Sequence, residues 1–294
     1  MRLAKVAKIA AVIASMGATL SLMAACGNGQ GEAAQSTGPT VTIGISTNLP
    51  YLSLREGNKY SGFDIDVAEY VAGKLGYSYK QIVWKQVPPG QSVSDLNNGV
   101  VGMIIGNYPI TSQAKENVDF AGPYLVQSQK LLVSEKDDSI SSLQSLRGKS
   151  VCVTGGSVAQ SVIENALGKS VSIHTLPSTS QCVTELFDGS VQAVSAGGIL
   201  LSALNKFKGG GYLKIVGNGF ATEYMGIAVK KNSPGLVYQI KQDIKLMMTS
   251  GTWESDLKAT VGQTGYKITS YNMPAAISAQ DSQQTASEGT EKND

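Results

Sequence analysis

Histidine is almost absent from this 294-residue chain: there is one, His174. A lone imidazole beside three cysteines excludes the common His-built metal sites and leaves a Ser–His triad without support, since His174 sits in the alternating, strand-like stretch Val171 to Leu176. Charge is scarce as well, with charged residues at 16% against about 25% in an average soluble chain. Of the 24 bases, three (Arg2, Lys5 and Lys8) lie in the first 25 positions, which hold no acid, so the remainder carries 21 bases against 22 acids. That balance offers no basic surplus for a phosphate backbone and excludes nucleic acid as a partner. Long apolar runs are missing too. The longest, Ile9 to Leu22, is about 14 residues, too short to span a bilayer permanently. What the chain has in quantity is a 42% hydrophobic content, enough for the cores of two domains, and 33 glycines.

The first residues read as an address. Basic residues at 2, 5 and 8 precede the apolar run, and Leu22-Met23-Ala24-Ala25-Cys26-Gly27 resembles a bacterial lipobox. The expectation is a signal peptide over 1–25 and Cys26 as the lipidated N-terminus, followed by a Gly/Ala/Gln/Ser tether to residue 39. The polar stretch 275–294 is expected to be a disordered tail.

Between them, short apolar runs alternate with helical patterns. Strands are expected at Val41–Ile45, Val100–Ile105, Lys130–Val133, Ser150–Val153, Val191–Val194 and Ile227–Val229. Helices are expected at Asp64–Leu75, closed by Gly76, at Val158–Leu167, capped by Ser157, and at Val237–Ser250. The alternation argues for an α/β fold. Trp84 and Trp253, with apolar flanks, read as core.

Five strings in order carry a resemblance: Gly62-Phe63-Asp64-Ile65-Asp66-Val67-Ala68; Ile110-Thr111 followed by Val118-Asp119-Phe120-Ala121-Gly122-Pro123-Tyr124; Leu146-Arg147-Gly148-Lys149; Tyr224-Met225-Gly226-Ile227-Ala228-Val229; and Gly251-Thr252-Trp253. Together they resemble the extracellular solute-binding proteins, family 3, of polar amino acid ABC transporters, most of all the glutamate/glutamine type. The resemblance implies a two-lobed periplasmic-binding-protein-like clamp with two hinge crossovers. Lobe 1 would be 40–134 plus 226–274 and lobe 2 would be 135–225, with crossovers near Val133–Asp137 and Tyr224–Ala228. It also implies a disulfide between Cys152 and Cys182, because related proteins carry cysteines at both places and export favours pairing. A loop of about 30 residues closed this way stabilises by roughly 3–4 kcal/mol.

The same resemblance exposes departures. In the family an Arg binds the ligand carboxylate and an Asp its ammonium. Here Ala114 stands in the place of the first, and Gly197 or Gly198 in the place of the second. An acid often found after the first strand is replaced in Ser46-Thr47-Asn48-Leu49-Pro50-Tyr51. The expected ligand-binding set is therefore polar and uncharged: Ser46, Asn48, Tyr51, Asn107, Tyr108, Ala114, Gly156, Ser157 and Gly197. Reintroducing Arg at Ala114 and Asp at Gly197 is expected to create or strengthen amino acid binding.

No catalytic constellation, cofactor or metal site is expected. Ser157 lacks the second glycine of a nucleophile elbow. A cyclohexadienyl dehydratase-like enzyme of this fold would need a cleft acid, for which Glu223 near the hinge is the one candidate. The expectation is instead a monomeric, membrane-anchored substrate-binding subunit, extracytoplasmic, that delivers a small polar solute to an ABC permease and its ATPase. A ligand sensor of the same fold would have the same sequence features.

Overall fold

The β-branched run Val41–Ile45 forms β1, buried on both faces as its continuous apolar pattern dictates. The structure, a computed structural model, describes residues 38–88 and 90–275. The expected signal peptide, Cys26, the tether up to residue 37 and the tail beyond residue 275 lie outside the described residues.

After β1, the hairpin of β2 (Leu54–Glu56) and β3 (Lys59–Ser61) leads into α1, Phe63–Lys74, which ends before Gly76 in a positive-φ conformation. β4 (Ile82–Gln86), α2 (Ser92–Asn97), β5 (Met103–Ile105) and α3 (Ser112–Asn117) follow. β6, Val118–Ser134, is unbroken for 17 residues, about 55 Å of extended chain. Then come β7 (Ser150–Thr154), α4 (Val158–Leu167), β8 (Ser172–Leu176), α5 (Thr179–Asp188), β9 (Ala193–Gly197) and α6 (Gly198–Leu204). β10 (Leu213–Val216), β11 (Thr222–Lys230), α7 (Pro234–Thr249) and α8 (Thr252–Ala259) complete the series.

The strands run in the order β4-β1-β5-β11-β6-β9-β7-β8, with β10 also on β6. β1, β4 and β5 are mutually parallel, as are β7, β8 and β9. β6 joins the two halves. It pairs antiparallel with β11 through Ser128, then with β9 from Gln129. The change of partner thus falls N-terminal to the crossover expected at Val133–Asp137, because β6 continues into the second half without a break. Two other strands also differ from expectation. β5 is shorter than Val100–Ile105 because Val100 and Gly102 face solvent, and β9 runs two to three residues later than Val191–Val194.

Helices cover both faces. In the first half α1, α7 and α8 pack on one side through Phe63, Val67, Ile240, Ile244 and Trp253, while Leu96 of α2 joins Phe120 and Ala228 on the other. In the second half Cys182 and Ile199 pack on one side, and Ala159 and Ile163 of α4 on the other. This is a mixed α/β fold of two lobes. The Cys152–Cys182 disulfide ties β7 to α5, with Cα atoms 5.4 Å apart. Near the change of partner, the Tyr271 hydroxyl accepts from Ser128 Oγ and donates to Thr222 Oγ1, both at 2.9 Å, and Asn272 Nδ2 donates to the Val126 carbonyl at 3.0 Å. The C-terminal segment therefore clips β6 to β11 where the lobes meet.

Candidate functional site

Loops leaving the carboxyl ends of parallel strands are where open α/β sheets build their sites, since these ends diverge and present backbone groups. Four such loops carry most of the residues expected from sequence: Ser46 to Ser53 after β1, Gly106 to Thr111 after β5, Gly155 to Ser157 after β7, and Gly197-Gly198 after β9. None of the four contains a Lys or Arg.

In the first loop, Ser46 is half-buried and its carbonyl accepts from Ser53 Oγ at 2.5 Å. Asn48 (exposed) and Tyr51 (half-buried) both adopt left-handed backbone angles, φ 66° and 62°. Tyr51 lines a groove with Pro50, Leu54, Phe207 and Gln263, so a second-half aromatic from the turn after α6 stands opposite a first-half one. In the second loop the backbone of Tyr108 and Ile110 docks on β11, with Gly226 N donating to the Tyr108 carbonyl at 3.0 Å and Ile110 N to the Tyr224 carbonyl at 2.8 Å. Only glycine fits at 226, since a Cβ there would lie 2.7 Å from Ile110 Cγ1. Asn107 takes φ 50° above a buried pair, in which the Tyr124 hydroxyl donates to Asp64 Oδ1 at 2.7 Å. The Asn107 backbone N–H faces the Asp64 carboxylate, which burial pushes up to about 6. Burial, with the Asp64 carboxylate beside it, raises Tyr124 well above the usual phenol range.

Several residues expected at the ligand make contacts within the fold. The Tyr108 ring packs on Phe120 with centroids 5.4 Å apart, and its hydroxyl faces Ser92. Ala114 packs in the same cluster and its N–H is capped by Thr111 Oγ1 at 3.1 Å, as α3 requires. The Gly156 N–H donates to Gln160 Oε1 at 2.7 Å, and Ser157 Oγ accepts from Gln160 N at 3.3 Å, the expected cap of α4. Gly197 is buried, and a Cβ on it would come within 2.2 Å of the Gln127 carboxamide. The double substitution that would place Asp at 197 therefore requires Gln127 to move.

Gln127 is the residue the sequence did not flag. It is fully buried on β6, and its Nε2 donates to Asn107 Oδ1 at 3.1 Å and to Glu223 Oε2 at 3.0 Å, while its Oε1 accepts from the Ile199 N–H at 3.1 Å. One side chain thus links the loop after β5, strand β11 and the start of α6. Gln127 and Glu223 are direct partners in the β6–β11 register. Glu223 is 7% exposed, and burial pushes its carboxyl up to about 7, opposed by hydrogen bonds from Gln127 and Gln129. A period-two polar pattern, Gln127 and Gln129 inside a long apolar strand, is the signal that could have found the pair. No group of three or more metal-ligating side chains occurs among the described residues. Among them, too, no helix is long and apolar enough to cross a membrane.

The sequence pattern of the bacterial extracellular solute-binding proteins, family 3, matches residues 41–259. The chain belongs to that family. Among family 3 relatives, the chain is 33% identical over 268 residues to the glutamate-binding protein GluB of Corynebacterium efficiens, covering 86% of this chain and 89% of that protein. It is 27% identical over 256 residues to the ABC transporter glutamine-binding protein GlnH of Bacillus subtilis, covering 81% of this chain and 91% of that one. A solved ancestral arginine-binding protein bound to glutamine superposes with a TM-score of 0.69 at 30% identity, covering 77% of this chain and all of that one. As a family 3 protein the chain has a substrate-binding role in ABC transport, and the family is extracytoplasmic.

Proposed function

We propose that this family 3 protein captures an L-α-amino acid with an uncharged polar side chain, glutamine first among them, and hands it to an ABC permease and its ATPase. The observation that carries the choice is electrostatic: the four loops hold no base, while the buried acids Asp64 and Glu223 lie against the loop after β5, Asp64 beside the Asn107 backbone N–H and Glu223 joined to the Asn107 side chain through Gln127. A net-negative ligand would leave a carboxylate desolvated and unpaired there, whereas a neutral amino acid brings an ammonium. Ser46, Asn48, Tyr51, Asn107, Gly156, Ser157 and the space above Gly197 are the groups assigned to the ligand, with backbone N–H groups of the loops receiving its carboxylate. The lobes divide at the β6 and β11 crossovers and close by hinge motion, so the protein acts as a monomer with no turnover of its own. Lipidation at Cys26 and the tether through residue 39 hold it at the outer face of the membrane, which raises its local concentration at the permease.

A thermal-shift screen of the purified chain against the L-amino acids, sugars, polyamines and organic acids tests this. L-Glutamine at a hundred times its dissociation constant adds about 2.7 kcal/mol of stability. A shift only with a sugar or a polyamine, and none with any amino acid, overturns the proposal.

A further inference from the structure

Glu223 is a carboxylate at 7% exposure that pairs with no Lys, Arg or His among the described residues, and its neighbours Gln127, Gln129 and Asn107 are uncharged amides. Buried charges are normally paired. What stands beside this one is the Gln127 –NH2, whose two N–H groups reach Asn107 Oδ1 and Glu223 Oε2. A nitrogen donating to two acceptors about 3 Å away has the geometry of a bound primary ammonium, without its charge. Gln127 fits because residue 197 has no side chain: a Cβ there would sit 2.2 Å from the carboxamide.

We propose that Glu223 Oε2 and Asn107 Oδ1 form the subsite for the ammonium group of the ligand, and that the Gln127 carboxamide fills this subsite until the ligand displaces it. The inference rests on the amino acid reading above. It places the cation-recognising acid on crossover strand β11, so that capture of the ammonium acts directly on the strand pair joining the lobes. It also makes Gln127 an internal competitor, because it holds Asn107, Glu223 and the Ile199 N–H together.

The test is isothermal titration at pH 7 with L-glutamine and with glutaramic acid, which lacks the amino group, on the wild type, Glu223→Gln and Gln127→Ala. Wild type is expected to prefer L-glutamine by about 30-fold or more, as expected for a buried charge pair. Glu223→Gln removes that preference, weakening L-glutamine while leaving glutaramic acid unchanged. Gln127→Ala tightens L-glutamine by about threefold or more, since the competent state is no longer self-occupied. On the wild type itself, titration in buffers of different ionisation heat should show net proton release with L-glutamine and none with glutaramic acid, because an ammonium favours ionisation of a carboxyl that burial holds partly protonated. Asp64, beneath Asn107, is already mostly ionised at that pH. Wild-type binding with full preference kept in Glu223→Gln overturns the subsite. Failure of the wild type to bind any L-amino acid overturns the amino acid reading and the subsite with it.

Discussion

Replacing Glu223 with Gln should stabilise the protein, and only above mild acidity. The carboxyl is buried, and burial raises it from 4.5 to about 7. A folded-state value above the unfolded one means the folded chain holds the proton more tightly, so unfolding releases a proton between pH 4.5 and 7. Stability therefore falls as pH rises through that window, by about 3 kcal/mol in all. Gln has the same shape and no charge to desolvate. Its oxygen still accepts from Gln127, and once the Gln129 carboxamide, whose N–H faces Glu223, turns over, the new amide group can donate to Gln129 Oε1, which has no donor in the structure. The variant should match wild type near pH 4 and exceed it by up to about 3 kcal/mol at pH 8. Urea unfolding at unit pH steps from 4 to 8 measures the difference. The Asp64 slope, confined to pH 3.8 to 6 by the same sign, is common to both proteins and cancels. A difference that stays flat with pH, or a variant less stable than wild type at pH 8, refutes the reasoning. Stability gained together with lost amino acid affinity would show that Glu223 is kept for binding at the expense of the fold.

Other consequences follow from the same geometry. Gly197→Ala forces its Cβ into the Gln127 amide and should cost about 1–3 kcal/mol by overpacking, and most of that cost should disappear in Gly197→Ala/Gln127→Ala, read as a non-additive double-mutant cycle by urea unfolding. Cys152→Ala/Cys182→Ala opens a loop spanning 30 residues and should lose about 3–4 kcal/mol; an unchanged melting temperature would show that the unfolded chain is not constrained by the bond. Tyr271→Phe removes the hydroxyl bridging Ser128 and Thr222 and should cost no more than about 1 kcal/mol, while speeding amide exchange along the β6–β11 pair; unaltered exchange there would mean the clip does not restrain the crossovers.

Local signals were readable and distant ones were not. Val158–Leu167 and its Ser157 cap came directly from spacing and capping chemistry, both settled within one turn. β6 was half hidden: Gly122-Pro123 inside it has the composition of a turn, and the antiparallel pairing with β11 that keeps the strand extended comes from a segment about a hundred positions away. Asp64 reads from sequence as an ordinary acid at a helix start, yet Tyr124, 60 positions on, buries it. The cleft shows the same division. The expected residues fall on loops after β1, β5, β7 and β9, because strand ends and glycine turns are local features. Tyr108, expected at the ligand, also packs on Phe120, a contact set by the sheet that its own loop does not reveal. The Gln127–Glu223 pair spans 96 positions, and only the register of two crossover strands brings it together.

The central claim, amino acid capture by loops that carry no base of their own, is tested most directly by titrating the purified chain with L-glutamine and with L-glutamate under the same conditions. The account predicts one L-glutamine per chain and weaker binding of L-glutamate, whose extra carboxylate meets no cation on the cleft loops. Equal or tighter binding of L-glutamate would contradict it.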